Sequence, residues 1–153
     1  MTHGRILSAI GAAIFGAGFL LSAPASAQFA KAEDAIEYRQ SAFSIMGNHM
    51  GRLAAMAQGK IPFDAAAAQN SARLIDTMAK LPWEGFVPGS QADSGAKPGL
   101  FDNMDDVRKL ADQLNGETAK LPAAAGSLDT LRGQVGATGK ACKACHDKYR
   151  EKI

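Results

Sequence analysis

The chain has 153 residues, with 17 Lys and Arg against 15 Asp and Glu and a formal net charge of +2. That near-balance excludes a nucleic-acid binder, because phosphate contacts require a concentrated basic stripe and none is visible. There is no internal repeat and no coiled-coil length.

Arg5 is followed by an apolar stretch from Ile6 to Leu21 and then by a small-residue run ending Ala25-Ser26-Ala27. A basic start, an apolar middle and an A-x-A ending predict a secretory signal over residues 1–27, cleaved before Gln28. The apolar run is broken by Gly11, Gly16 and Gly18 and falls short of the ~20 residues of a spanning helix, so no membrane anchor is expected after cleavage. Residues 28–153 are then 126 residues with 16 basic and 15 acidic side chains, the size of one domain. Export by this route predicts a periplasmic protein.

The remaining chain shows helical periodicity throughout. A first helix is predicted from about Lys31 to Gln58, with Ile36, Phe43, Met50 and Ala57 seven apart and Met46 and Leu53 between them on one apolar face. Asp64, after Pro62, is a good N-cap for a second, which carries Ala68, Ser71, Leu74, Ile75 and Met78 and stops at Leu81-Pro82. A longer connection, Leu81 to Phe101, combines Pro82, Pro88 and Pro98 and four glycines with Trp83, Phe86 and Val87, and those apolar side chains require cover. The third helix starts near Asp102 or Asn103, places Val107, Leu110, Leu114, Thr118 and Leu121 at steps of three and four, and ends at Pro122. The fourth opens on Ser127 and turns Leu128, Leu131, Val135, Thr138, Cys142, Cys145 and Tyr149 inward. Four amphipathic helices with two short connections and one long one predict an all-α, antiparallel up-down-up-down four-helix bundle.

Both cysteines belong to that inward stripe, in Cys142-Lys143-Ala144-Cys145-His146. Residues three apart on a helix share a face, so two thiols can bond one porphyrin while the adjacent imidazole turns toward its iron, the C-x-x-C-H arrangement of covalent haem attachment. A thioredoxin-like redox pair requires a strand-helix-strand setting that an all-helical chain lacks. A zinc site normally has four protein ligands, and the chain beyond residue 27 adds only His49 as a second imidazole. A structural disulfide in a helical interaction domain leaves the histidine unexplained. With so few acid-base and nucleophilic groups, an enzyme is not expected.

The haem motif in the last helix, the first-helix segment Glu33-Asp34-Ala35-Ile36-Glu37-Tyr38-Arg39-Gln40 and the loop Leu81-Pro82-Trp83-Glu84-Gly85-Phe86 with Pro88-Gly89 together resemble the cytochrome c′ family. The resemblance spans residues 28–153. It implies one covalently attached haem c per chain, held in the bundle core near the C-terminal helix, with His146 on the iron and the opposite side facing the first helix. In six-coordinate relatives a methionine one turn after the first-helix arginine ligates the iron; here Arg39 is followed four residues later by Phe43, which carries no donor atom. A five-coordinate iron that binds nitric oxide and carbon monoxide is therefore expected, with electron transfer to an unidentified redox partner as a further role. The alternative is a six-coordinate, low-spin electron-transfer cytochrome using Met46 or His49. The resemblance also places Arg39 and Gln40 beside the haem, Arg39 pairing with a propionate, and makes Phe86 and Trp83 pocket walls. Ser90 and Gln91 stand where many members have threonine and glutamate at the haem edge. Arg150, four residues after His146, shares its side of the helix. Close approach of a neighbouring helix or the porphyrin is expected at Gly133, Gly136 and Gly139. A homodimer through the first two helices is implied, with Met50, Met56, Ile61 and Phe63 as contact residues.

Overall fold

The computed structural model describes residues 28–152, so the expected signal segment lies outside the described residues. Five helices follow in order: α1 (Ala32–Ala57), α2 (Ala65–Met78), α3 (Met104–Thr118), a single turn α4 (Leu121–Ala124) and α5 (Leu128–Tyr149). Two 3-10 turns, Pro82–Gly85 and Pro98–Asn103, punctuate the long connection between α2 and α3. Four long helices form the all-α bundle. Among the described residues no helix is long and apolar enough to cross a membrane.

The helix ends follow local chemistry. Glu33 and Asp34 stand in the first turn of α1, where acidic side chains favour the positive end of the helix dipole. Its other end is a Schellman turn: Gly59, at φ +70°, bonds through its N–H to Met56 O at 3.0 Å and Lys60 N–H reaches Ala55 O at 2.9 Å. The Asp64 carboxylate accepts from Ala67 N–H at 3.0 Å and opens α2, and the Ser127 hydroxyl accepts from Thr130 N–H at 3.3 Å and opens α5, both as predicted. The predicted third helix divides into α3 and α4. Pro122 has no N–H to give the carbonyl four residues back, so the chain restarts a turn with proline near its beginning.

Side chains near the helix ends fix the antiparallel order. Arg132, early in α5, donates to Ala57 O at the end of α1 at 3.0 Å. Gln134 bonds Glu117 late in α3, through its backbone oxygen at 2.9 Å and its carboxylate at 2.8 Å, while Tyr149 at the far end of α5 meets Asp106 early in α3 at 2.7 Å.

At the end of the bundle remote from the Cys142–His146 motif, Leu53, Met56, Ala68, Ala72, Ile75, Leu121, Ala125 and Leu131 form one buried apolar cluster. Leu53, Ile75, Leu121 and Leu131 are at most 1% exposed. Each such side chain contributes roughly 1.5–3 kcal/mol relative to an exposed one. The predicted inward positions of α3 are all buried: Val107, Leu110, Leu114 and Thr118, with Leu121 following in α4. On α1 the buried line instead runs Ala35, Arg39, Ala42, Met46, Leu53 and Met56, with Ile36, Phe43 and Met50 half-buried on its flank. Toward the N-terminal half the buried line is made of small side chains and one cation, and Phe43 and Met50 line the cavity described below. Leu74 of α2, predicted inward, is 38% exposed.

A Cβ added at Gly133, Gly136 or Gly139 meets nothing within 4 Å, so no neighbouring helix approaches closely there, and Gly139 lines the cavity described below, which leaves the porphyrin of the two expected neighbours. The close approach is at Gly85, where a Cβ would stand 2.7 Å from Ala35 O. Of the residues expected at a dimer contact, Met56 is buried and Met50 and Phe63 pack against the apolar cluster, which leaves Ile61 exposed.

Candidate functional site

The other end of the bundle holds a cavity of about 980 Å³ between the four long helices and the long connection, at the upper end of the ~300–1,000 Å³ usual for small-molecule and cofactor sites. Helical spacing brings Thr138, Cys142, Cys145, His146 and Tyr149 of α5 to one wall. Arg39, Gln40, Phe43 and Met46 of α1 form the facing wall, and Trp83 and Phe86 of the loop close the side. Phe43 and His146 face each other with ring centroids 6.4 Å apart, edge to face.

The loop aromatics are covered, as their composition required, by one another and by α1. Trp83 stacks on Phe86 at 6.2 Å, both contact Phe43 at 5.8 and 6.3 Å, and Phe101 closes the row at 6.3 Å from Phe86. The Trp83 indole donates to Ala79 O at 2.6 Å, so its polar edge is satisfied while its face stays apolar.

Cys142 and Cys145 are free thiols. Burial raises both pKa values, and the charge of Asp106 adds to the effect at Cys145, so both remain protonated near neutrality. His146 opens by surface area into the cavity, yet the walls crowd it enough that burial lowers its pKa; Arg150 lowers it further against the opposing charge of Asp147. A neutral imidazole is the form that offers a lone pair to a metal. The Thr138 hydroxyl is buried without a hydrogen-bond partner among the described residues. Two thiols, an imidazole and a largely apolar enclosure of this volume fit a haem, whose ring faces are apolar and whose iron takes a nitrogen donor.

The structure places the remaining predicted residues unevenly. Phe43, Phe86 and Gln40 line the cavity. Arg39 also lines it and is 2% exposed, and three of its five N–H donors are taken by protein acceptors: Nη1 donates to Gly85 O at 2.5 Å and Ser90 Oγ at 2.8 Å, and Nη2 to Ser90 O at 2.5 Å. Ser90 and Gln91 are not among the residues lining the cavity; Ser90 is turned inward to Arg39, Gln91 is exposed, and Asp93 and Ser94 stand at the wall instead. His49 is turned to α2, 3.2 Å from Ser71 Oγ, and is off the wall, whereas the Met46 side chain is on it. Arg150 lines the cavity from just beyond α5, where the chain turns extended and pairs with Ala96.

That pairing was not visible in the sequence. Lys97 N–H bonds Tyr149 O and Glu151 N–H bonds Gly95 O, both at 2.9 Å, so a short strap of the connection is fixed to the end of α5. The Tyr149 phenol and Lys148 both donate to Asp106, which anchors the same end to α3.

The family profile described as cytochrome c′ matches residues 34–150. The chain belongs to the cytochrome c′ family. Cytochrome c′ of Rubrivivax gelatinosus is 47% identical over 129 residues, covering 82% of this chain and all of that protein. The solved structure of that cytochrome c′ superposes with a TM-score of 0.77 at 46% identity, covering 81% of this chain and 100% of the other. A carbon-monoxide-bound variant of cytochrome c′ from Alcaligenes xylosoxidans gives a TM-score of 0.76 at 39% identity, covering 82% of this chain and 100% of the other. A variant of that protein is also known as its nitrosyl complex, at a TM-score of 0.76, 38% identity and coverage of 81% and 100%. Members of the cytochrome c′ family are haem proteins rather than enzymes, and membership together with the Cys142 and Cys145 pair implies a covalent haem c.

Proposed function

We propose that this cytochrome c′ is an exported, periplasmic gas-binding protein carrying one haem c, with thioethers at Cys142 and Cys145, His146 as the axial ligand and no protein ligand on the Phe43 side. When bound, the haem supplies an iron that takes a diatomic ligand in its open position. The observation that carries the reading is the residue standing opposite His146 on α1: the ring of Phe43, which has no lone pair to offer.

The chain's own residues then set which ligands enter. Phe43, Met46 and Phe86 on the entry side cannot donate a hydrogen bond, and Arg39 and Gln40 on the same wall donate to loop oxygens, which disfavours dioxygen relative to nitric oxide and carbon monoxide. Displacing an aromatic ring from a packed site costs roughly 1–3 kcal/mol, a penalty of about tenfold or more in affinity. Relatives with carbon monoxide and nitric oxide bound support the choice of ligands. The Ala25-Ser26-Ala27 ending supports export. Ile45 of α1 and Leu74 of α2, exposed at 40% and 38%, support a homodimer through those helices.

One observation favours a second reading, a six-coordinate electron-transfer cytochrome: Met46 lies on the cavity wall with a thioether able to bind iron. Optical spectra of the purified holoprotein separate the two. A broad high-spin spectrum that shifts on adding carbon monoxide, unchanged in Met46→Leu, is the expected result. Sharp low-spin bands indifferent to the gas would overturn it.

A further inference from the structure

We propose that Arg39 is a positioning residue that clamps the loop carrying Trp83 and Phe86 against α1 and thereby sets how easily the Phe43 ring gives way. The proposal rests on the gas-binding reading above and adds the part of the chain that governs access.

Three consecutive side chains of α1 hold the loop. Tyr38 donates to the Glu84 carboxylate, Arg39 to Gly85 and Ser90, and Gln40 to Ser94 O at 3.1 Å. Arg39 is the central one and the only buried member. Among the described residues no carboxylate lies within ion-pair distance of it. A buried cation is tolerated only while its donors are accepted, and here three of its bonds go to the loop's own oxygens. The Ser90 hydroxyl donates onward to Val87 O at 2.7 Å, so the clamp closes the loop on itself as well as on the helix. Moving the loop outward would strip the guanidinium of its acceptors at both ends of residues 85–90.

The held segment bears directly on the gate. The guanidinium lies over the Phe86 ring at 4.7 Å, Phe86 stacks on Trp83, and both rings contact Phe43, one helical turn beyond Arg39. Phe43 can swing aside on that flank only into space that those two rings occupy. Because the loop is fastened to the same stretch of helix that carries Phe43, gate and stop move as one piece. Gly85 permits the contact, since any side chain there would meet α1. Lysine, with a single point-like ammonium, cannot reproduce the fork that spans Gly85 and Ser90.

The test uses the holoprotein and two readouts, hydrogen exchange of the Phe86 and Ser90 amides and the association rate of carbon monoxide with the reduced protein. Arg39→Lys is expected to speed the loop amides by about tenfold, the equivalent of one lost hydrogen bond, and to raise the association rate several-fold. Phe43→Ala should raise the association rate while leaving loop exchange as in the wild type. Should Arg39→Lys fail to fold, Ser90→Ala keeps the cation, removes the 2.8 Å acceptor and carries the same expectation at a few-fold. Wild-type loop exchange in these variants, or faster loop exchange with an unchanged association rate, overturns the proposal while leaving the gas-binding reading intact. A wild-type protein indifferent to carbon monoxide would instead remove that reading and the gate with it.

Discussion

Substituting Gly85→Ala adds a single methyl group where α1 and the loop touch. The new Cβ would lie 2.7 Å from Ala35 O, closer than real contacts come, and 3.0 Å from Arg39 Cβ, tighter than nearly all of them, and both neighbours belong to the rigid body of a helix. Neither can rotate away, so the turn Pro82–Gly85 must back off and carry with it the oxygen that accepts from Arg39. Overpacking of this kind costs typically 1–3 kcal/mol, and at about 4 °C per kcal/mol for a domain of this size the melting temperature should fall by roughly 4–12 °C. Gly133→Ala is the matched control. Its Cβ meets nothing within 4 Å in the interior of α5, so the gain in helix propensity should raise stability by up to about 1 kcal/mol. Thermal melts of the two holoproteins followed by far-ultraviolet circular dichroism decide the matter. If Gly85→Ala melts with the wild type, the tight contact between loop and helix is refuted, and with it the reason for glycine at that position.

Two further outcomes follow from single groups. Thr138 has a buried hydroxyl with no partner among the described residues, so Thr138→Val should stabilise the protein by about 1 kcal/mol in denaturant unfolding; a loss of stability would mean the hydroxyl is bonded within the filled cavity. The Tyr149 phenol donates to Asp106, which holds its pKa up at about 12 against an ordinary 10.0. Because the folded protein keeps this proton more tightly than the unfolded chain, the contribution is complete below pH 10.0 and is lost as pH rises through about 12. Melting temperatures across that interval should fall less steeply in Tyr149→Phe than in the wild type, and identical slopes would refute the assignment.

Much of the bundle was legible because caps and periodicity are local. Asp64 and Ser127 open their helices by the side-chain bonds their positions imply, and every inward position predicted for the third helix is buried. The inward line of α1 was legible in part: Met46 and Leu53 are buried as predicted, whereas counting large apolar side chains also draws attention to Ile36, Phe43 and Met50, which are only half-buried beside Ala35, Arg39 and Ala42. Phe43 and Met50 flank the line because they line the cavity. The C-x-x-C-H spacing identified the α5 wall for the same local reason, two thiols one helical turn apart. The fate of Arg39 was not legible, because two of its three acceptors are backbone oxygens and every residue has one. Ser90 entered the reading by position in the family pattern; it is not among the residues lining the cavity, and its hydroxyl accepts from Arg39. The pairing of residues 95–97 with 149–151 joins segments more than fifty positions apart through main-chain groups, and no residue type announces such a partner.

That pairing has a consequence for the order of folding. Lys97 and Gly95 bond Tyr149 and Glu151, more than fifty positions further along the chain, so this edge of the enclosure closes only after a long segment has been brought back on itself. Until then Cys142, Cys145 and His146 are less enclosed, and the main-chain pairing is the clasp that shuts the box.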